Sequence, residues 1–132
     1  VRSRRQRQMC IRDRLDTDIA GGVAAGMPAL HVLTGVSGPY ALLQAPPEHR
    51  PTFIAADMRG LSESPEALAP GAQEGFEARI DGSAIVLSSG NPGASSLAAL
   101  RTALDVAWRQ PEPPADVRAE SDAAAVAVAK WW

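Results

Sequence analysis

The sequence predicts an α/β fold built on parallel strands, and three observations carry that expectation. Ala29-Leu30-His31-Val32-Leu33 is an almost continuous apolar run, the pattern of a strand covered on both faces of a parallel sheet. Thr52-Phe53-Ile54 is a second short strand, and a helical stretch separates the two. Loop, helix, strand, helix and strand at this spacing make βαβ units rather than an all-helical or all-β domain.

Each element has its local reason. Asp16 or Thr17 can cap a helix running to Ala25, with acidic side chains in its first turn and Ala20, Val23 and Ala24 on one side, and Gly26 ends it. Thr34-Gly35 closes the strand that follows. Val36–Pro39 is a loop, Tyr40–Ala45 a helical turn or two, and Pro46-Pro47 breaks it. Asp57–Leu61 is expected to add one more helical turn. Ser, Glu, Pro and Gly then dominate, which marks residues 62–75 as a linker.

Beyond the linker lies a hairpin signal. Phe76–Ile80 and Ala84–Leu87 flank Asp81-Gly82, a pair suited to the positive φ angles of a tight turn. Ser89-Gly90-Asn91-Pro92-Gly93 ends the second strand. Ala94–Arg109 then reads as an amphipathic helix with Leu97, Leu100, Ala103, Leu104 and Ala107-Trp108 on its apolar side, stopped by Pro111, Pro113 and Pro114. Residues 116–132 are alanine-rich and are expected to form a last helix ending in Trp131-Trp132. Those two tryptophans either pack on the hairpin or face a partner.

The chain has 132 residues, 45% of them hydrophobic and 21% charged, an ordinary globular mixture. No run approaches the roughly 20 apolar residues of a membrane span, and no apolar N-terminal segment serves as a secretory signal. One cysteine, Cys10, excludes an internal disulfide and a cysteine-based zinc site. A cytoplasmic protein with no membrane partner is the expectation.

The net charge of −2 is unevenly spread. Arg2, Arg4, Arg5, Arg7, Arg12 and Arg14 crowd the first fourteen positions, and from Leu15 onward seven basic residues face fourteen acidic ones. Clustered arginines could neutralise phosphates, but the tail holds no aromatic residue for base stacking, so no nucleic-acid partner is expected. Arg5–Arg14 instead resembles the peptide obtained when sequencing-adapter DNA is translated in frame, so residues 1–14 are read as an artefactual basic tail with a genuine basic arm as the alternative.

Asp13, Asp16 and Asp18 place three carboxylates within six residues at a strand-to-helix turn, where open α/β sheets bind ligands. Carboxylates suit a hard cation such as magnesium, which commonly takes one or two from the protein and the rest of its oxygens from water and phosphate. By residue type alone, Asp16 and Asp18 equally well cap the helix. His31 and His49 form no recognisable metal motif, and His31, inside an apolar strand, reads as structural. Gly90-Asn91-Pro92-Gly93 lacks the Gly-Lys-Ser/Thr of a phosphate cradle and reads as a strand-to-helix turn.

Asp13-Arg14-Leu15-Asp16-Thr17-Asp18-Ile19-Ala20-Gly21-Gly22, followed by Ala25-Gly26-Met27 and Leu33-Thr34-Gly35-Val36, resembles the fourth motif block of haloacid-dehalogenase-like (HAD) hydrolases. The likeness continues through Arg50-Pro51-Thr52-Phe53-Ile54 and Asp57-Met58-Arg59-Gly60-Leu61. More narrowly it is similar to the NagD and p-nitrophenylphosphatase-like (type IIA) branch, and the extension beyond it to actinobacterial glycerol-phosphate phosphatase-like members.

The resemblance implies a fold and a chemistry. Residues 15–61 would form the C-terminal part of a Rossmann-like HAD core, parallel strands with helices, and residues 76–132 a β-hairpin plus helices extension. Asp13 would stand at the magnesium position, with Arg12 where the family has glycine, and Asp16 and Asp18 would orient the loop. The implied activity is hydrolysis of a small phosphate monoester through an aspartyl-phosphate, with Mg2+ as cofactor. The family's Asp-x-Asp-Gly nucleophile block has no counterpart here: the one Asp-x-Asp, Asp16-Thr17-Asp18, lacks the following glycine and follows charged residues. No catalytic residue is therefore assigned, Thr34 and Thr52 included, and the chain alone is expected to be an inactive C-terminal fragment. The alternative is an interaction or regulatory module, with residues 76–132 mediating subunit or partner contacts and a homo-oligomer as one form of partner.

Overall fold

The computed structural model describes residues 10–12, 29–33, 37–57, 59 and 62–131. Among the described residues, six strands form two three-stranded sheets. The first holds β1 (Cys10–Arg12), β2 (Ala29–Val32) and β3 (Phe53–Ala55), all parallel, in that spatial order. The two apolar runs read as strands are therefore strands, and parallel ones. Strand β1 falls in the basic tail, where Cys10, Ile11 and Arg12 stand opposite Ala29, Leu30 and His31. The helix expected over 16–25 lies outside the described residues, and the turn expected over 57–61 lies partly outside them.

All four residues of β2 are buried, as the apolar run requires. Leu30, Val32 and Ala55 face one side with Leu68, while Ala29 and Ile54 join the main cluster on the other. Helix α1 (Pro39–Leu43) covers that second side with Leu42 and Leu43, and a 3-10 turn (Pro47–His49) leads into β3. Proline at the first helical position fits α1, because its missing N–H would have had no partner there.

Leu68 belongs to α2 (Pro65–Leu68), a short helix inside the stretch read as a linker. Turn-forming residues flank it, but its buried leucine is what makes the segment part of the core. Gly71 N–H donates to the Arg101 carbonyl at 3.0 Å, and the Gln73 amide donates to the carbonyls of Ala67 and Ala69. The chain is thus pinned as it crosses from one sheet to the other.

The second sheet holds β4 (Phe76–Asp81), β5 (Ala84–Ser89) and β6 (Asp116–Ala119) in that order, with β4 antiparallel and β6 parallel to β5. The expected hairpin is present, one residue later than the Asp-Gly signal placed its loop. Asp81 pairs with Ala84, so the connecting residues are Gly82-Ser83, with Gly82 at φ +64°. A glycine first in a two-residue loop satisfies the turn as well as Asp-Gly would, and leaves Asp81 to extend the strand.

Helix α3 (Ser96–Ala107) follows, capped by the Ser95 hydroxyl, which accepts from Ala98 N–H at 3.0 Å. Its apolar side supplies Ala99, Leu100, Ala103 and Leu104, all fully buried. The last segment departs from expectation. Asp116–Ala119 is a strand rather than the start of a helix, sealed at its ends by Ala115 N–H to Ser83 O (2.7 Å) and Glu120 N–H to Leu87 O (2.8 Å). Three of its four residues carry little β signal, and pairing with β5 decides the outcome. Helix α4 (Asp122–Val128) comes after it, capped by Ser121. Trp131 is 8% exposed, with its ring edge-on to Tyr40 at 5.8 Å and its indole N–H on Ser96 O at 3.4 Å, so it packs on α1 and α3 rather than on the hairpin.

Candidate functional site

The three strands of the first sheet run the same way, so their carboxyl ends, Arg12, Val32 and Ala55, share one edge. Ligands of open α/β sheets bind at that edge. Asp13 follows β1 directly in the chain; Asp13, Asp16 and Asp18 themselves lie outside the described residues. Among the described residues there is no group of three or more His, Cys, Asp or Glu side chains able to hold a metal ion. Asp13 follows in sequence a strand that ends at this edge, and a carboxylate is the donor type that magnesium takes.

The same edge carries Asp57, two residues past β3. Its carboxylate takes the Arg59 guanidinium through Nε (3.0 and 3.1 Å) and a terminal nitrogen (2.6 Å), and the Arg59 backbone N–H at 2.9 Å. These hydrogen bonds, the side-chain ones foremost, hold the Asp57 carboxyl down at about 2, and Asp57 in turn raises the arginine. An aspartate so engaged is a poor base.

Among the described residues neither histidine joins a metal group. His31 is fully buried in β2, its Nε2 2.8 Å from the Ser37 carbonyl, as a structural histidine should be. His49 is half-buried in the 3-10 turn. Thr52 is exposed and gives its N–H to Ala29 O at 2.9 Å. The Gly90–Gly93 turn has a packing reason: Gly90 sits at φ +101°, and a Cβ there would lie 2.5 Å from Phe76 Cε1.

Long-range polar contacts were not visible in the sequence. Arg101 of α3 is 5% exposed and gives its guanidinium to the Ile54 carbonyl of β3, through Nε at 3.0 Å and through Nη2, and to Gln73 at 3.3 Å. Burial lowers its pKa, opposed by Glu63 and Glu74. Arg50 lies over the Trp108 ring at 5.5 Å and donates to the carbonyls of Ala45 (3.0 Å) and Trp108 (3.1 Å). The Trp108 indole N–H reaches Leu42 O at 3.0 Å, and the Gln44 amide reaches Pro114 O. The contacts of Arg101 with Ile54, Arg50 with Trp108, Trp108 with Leu42 and Gln44 with Pro114 tie the first sheet and its cover to the second unit. An arginine in an alanine-rich helix was the only signal, and it named no partner.

The family model described as HAD-hydrolase-like matches residues 2–61, which include all three strands of the first sheet. That segment carries the pattern of the HAD-like hydrolases. The D-glycerol 3-phosphate phosphatase of Mycobacterium tuberculosis is 42% identical over 79 residues, 60% of this chain and 22% of that enzyme. A crystal structure of the glycerol phosphate phosphatase from the same organism in complex with magnesium superposes with a TM-score of 0.83 at 32% identity, over 93% of this chain and 37% of that one. The calcium complex gives the same TM-score at 33% identity, over 93% and 38%. The likeness thus covers both sheets, and the α/β fold with parallel strands is that of the HAD-like phosphatases. The chain spans well under half the length of the relatives it matches.

Proposed function

We propose that this chain supplies the metal-loop end of a magnesium-dependent phosphatase that hydrolyses a small phosphate monoester, glycerol phosphate being the best-supported class. The observation that carries the reading is the superposition of nearly the whole chain on a glycerol phosphate phosphatase in complex with magnesium. Residues 15–61 carry the C-terminal part of the core, 62–75 connect, and 76–132 form the extension. Asp13, the match to the metal position although it falls within the segment read as a basic tail, would hold the metal, and Asp16 and Asp18 would orient its loop. Magnesium, when bound, neutralises charge on the transferring phosphoryl group. The nucleophilic aspartate that forms the aspartyl-phosphate comes from a block this sequence does not contain, so the 132-residue chain is inactive by itself. No helix among the described residues is long and apolar enough to cross a membrane, and the proposed setting is the cytoplasm.

The test is a chimera in which this chain replaces its counterpart segment in the mycobacterial enzyme. Magnesium-dependent release of phosphate from glycerol phosphate, abolished by Asp13→Asn, is the expected result. A folded chimera indifferent to Asp13→Asn overturns the metal assignment. Hydrolysis of p-nitrophenyl phosphate by the 132-residue chain alone overturns the claim of inactivity. A second reading, in which the extension mediates subunit contacts, is favoured by the open edge of β4.

A further inference from the structure

Strand β4 has β5 on one side and no strand on the other among the described residues. Which of its backbone groups face the open side follows from the ladder. Phe76 N–H is spent on the Gln73 carbonyl at 3.0 Å, and Gly90 N–H donates to Gly75 O, so Gly75 bonds toward β5 and Phe76 does not. Antiparallel pairs alternate in this respect, which gives Glu77, Arg79 and Asp81 to β5 and turns the N–H and C=O of Ala78 and Ile80 outward. A groove of about 440 Å3 runs along this edge between β4 and α3, lined by Phe76 and Ala78 on one side and by Thr102 and Val106 on the other.

We propose that the chain self-associates through β4, two copies adding edge to edge about a twofold axis at Ala78. The register follows from charge. With Ala78 opposite Ala78, Glu77 of one copy stands across from Arg79 of the other, and the twofold repeats the pair with the roles exchanged. These are non-hydrogen-bonded positions, where side chains lie closest, about 4.5 Å between Cα atoms. Phe76 then opposes Ile80, so the apolar face of one sheet continues into the other and the groove is covered. Ala78 N–H donates to the Ala78 carbonyl of the second copy, and Ile80 N–H to its Phe76 carbonyl. A self-complementary patch of this kind is what an isologous dimer requires. The other open edge, β6, is shorter, four residues against six, while Arg79 of β4 pairs with Glu120 of its own chain and would share its guanidinium with the second copy's Glu77.

The proposal rests on the subunit-contact reading of the extension and uses none of the phosphatase chemistry, so either can fail without the other. Sedimentation velocity across a concentration series of the 132-residue chain is expected to show a monomer–dimer equilibrium. Glu77→Lys and Arg79→Glu should each weaken it by roughly tenfold or more, because two attractive pairs become two like-charge pairs. An equimolar mixture of the two variants should recover dimer. The introduced lysine of one copy then meets the introduced glutamate of the other, and the retained Arg79 of the first meets the retained Glu77 of the second; a variant that merely misfolds is not rescued by mixing. Ala78→Pro removes an N–H aimed at the open edge while sparing the ladder to β5, and is expected to be monomeric with an unchanged circular dichroism spectrum. A wild-type chain that stays monomeric at all concentrations, or variants whose mixture does not associate, overturns the proposal.

Discussion

The two sheets bury their strands differently. In β2 every residue is buried, Leu30 and Val32 against Leu68 and Ala29 against the main cluster, whereas β4 alternates with Phe76 inward and Glu77, Arg79 and Asp81 outward. On the outer face of the second sheet Arg79, Val86 and Arg118 form one cross-strand row and Asp81, Ala84 and Asp116 the next, with Arg79 also paired to Glu120 at 2.6 Å. A one-faced sheet carries its own polar cover. A two-faced sheet must borrow cover from elsewhere, and here it borrows from α1, α2 and α3. Of these helices α3 belongs to the second unit, so part of the first sheet's cover comes from there.

The sharpest way to break this dependence is Leu100→Ala. Leu100 is fully buried in the cluster shared by Ile54 of the first sheet and Ile85 of the second. Truncation should cost about 2–5 kcal/mol. Urea unfolding followed by hydrogen exchange should show both sheets losing protection together; retention of the first sheet alone would refute the borrowed cover. Next in size, Arg101→Met leaves the Ile54 carbonyl without its buried donor and should cost about 1–3 kcal/mol, with faster exchange at the first sheet than at β4 and β5. Arg101→Lys should recover only part of that, because an ammonium cannot reproduce the forked contact.

Trp108→Phe keeps the ring under Arg50 but removes the indole N–H from Leu42 O, and a loss of about 1 kcal/mol in thermal unfolding is expected. The smallest effect concerns Asp57, which is held by an exposed arginine. Its folded pKa of about 2 lies below the ordinary carboxylate value near ~3.9, so its contribution is present above that ordinary value and fades as pH falls through about 2. Carboxyl NMR titration should place its midpoint near that value, rising toward the ordinary range in Arg59→Ala or at high salt.

What the sequence revealed follows the range of the interactions involved. Strands β2 and β3, the hairpin, and α3 with its apolar side and terminating prolines are local patterns, and all were legible; the Ser95 cap was not singled out. Strand β6 was not: Asp116–Ala119 contains a single strongly β-forming residue, Val117, and becomes a strand because β5 offers it hydrogen bonds. Helix α2 was hidden for the opposite reason, its Pro-Glu-Ala-Leu lying among turn formers while its importance resides in one buried leucine. Arg101 to Ile54 and Trp108 to Leu42 bridge 47 and 66 positions of chain, and no local pattern encodes such pairings. For the candidate site, Asp13, Asp16 and Asp18 were singled out as a carboxylate cluster and given roles by a motif resemblance; they lie outside the described residues, and what the fold adds is that β1 ends at the carboxyl edge of a parallel sheet.

Among the described residues, two indole rings sit on the seam between the sheets. Trp108 reaches Leu42 from the end of α3, and Trp131 meets Tyr40 and Ser96. The molecule thus carries an intrinsic optical gauge of its own assembly: separating the halves wets both indoles, so a red shift in native emission reports undocking without any attached label.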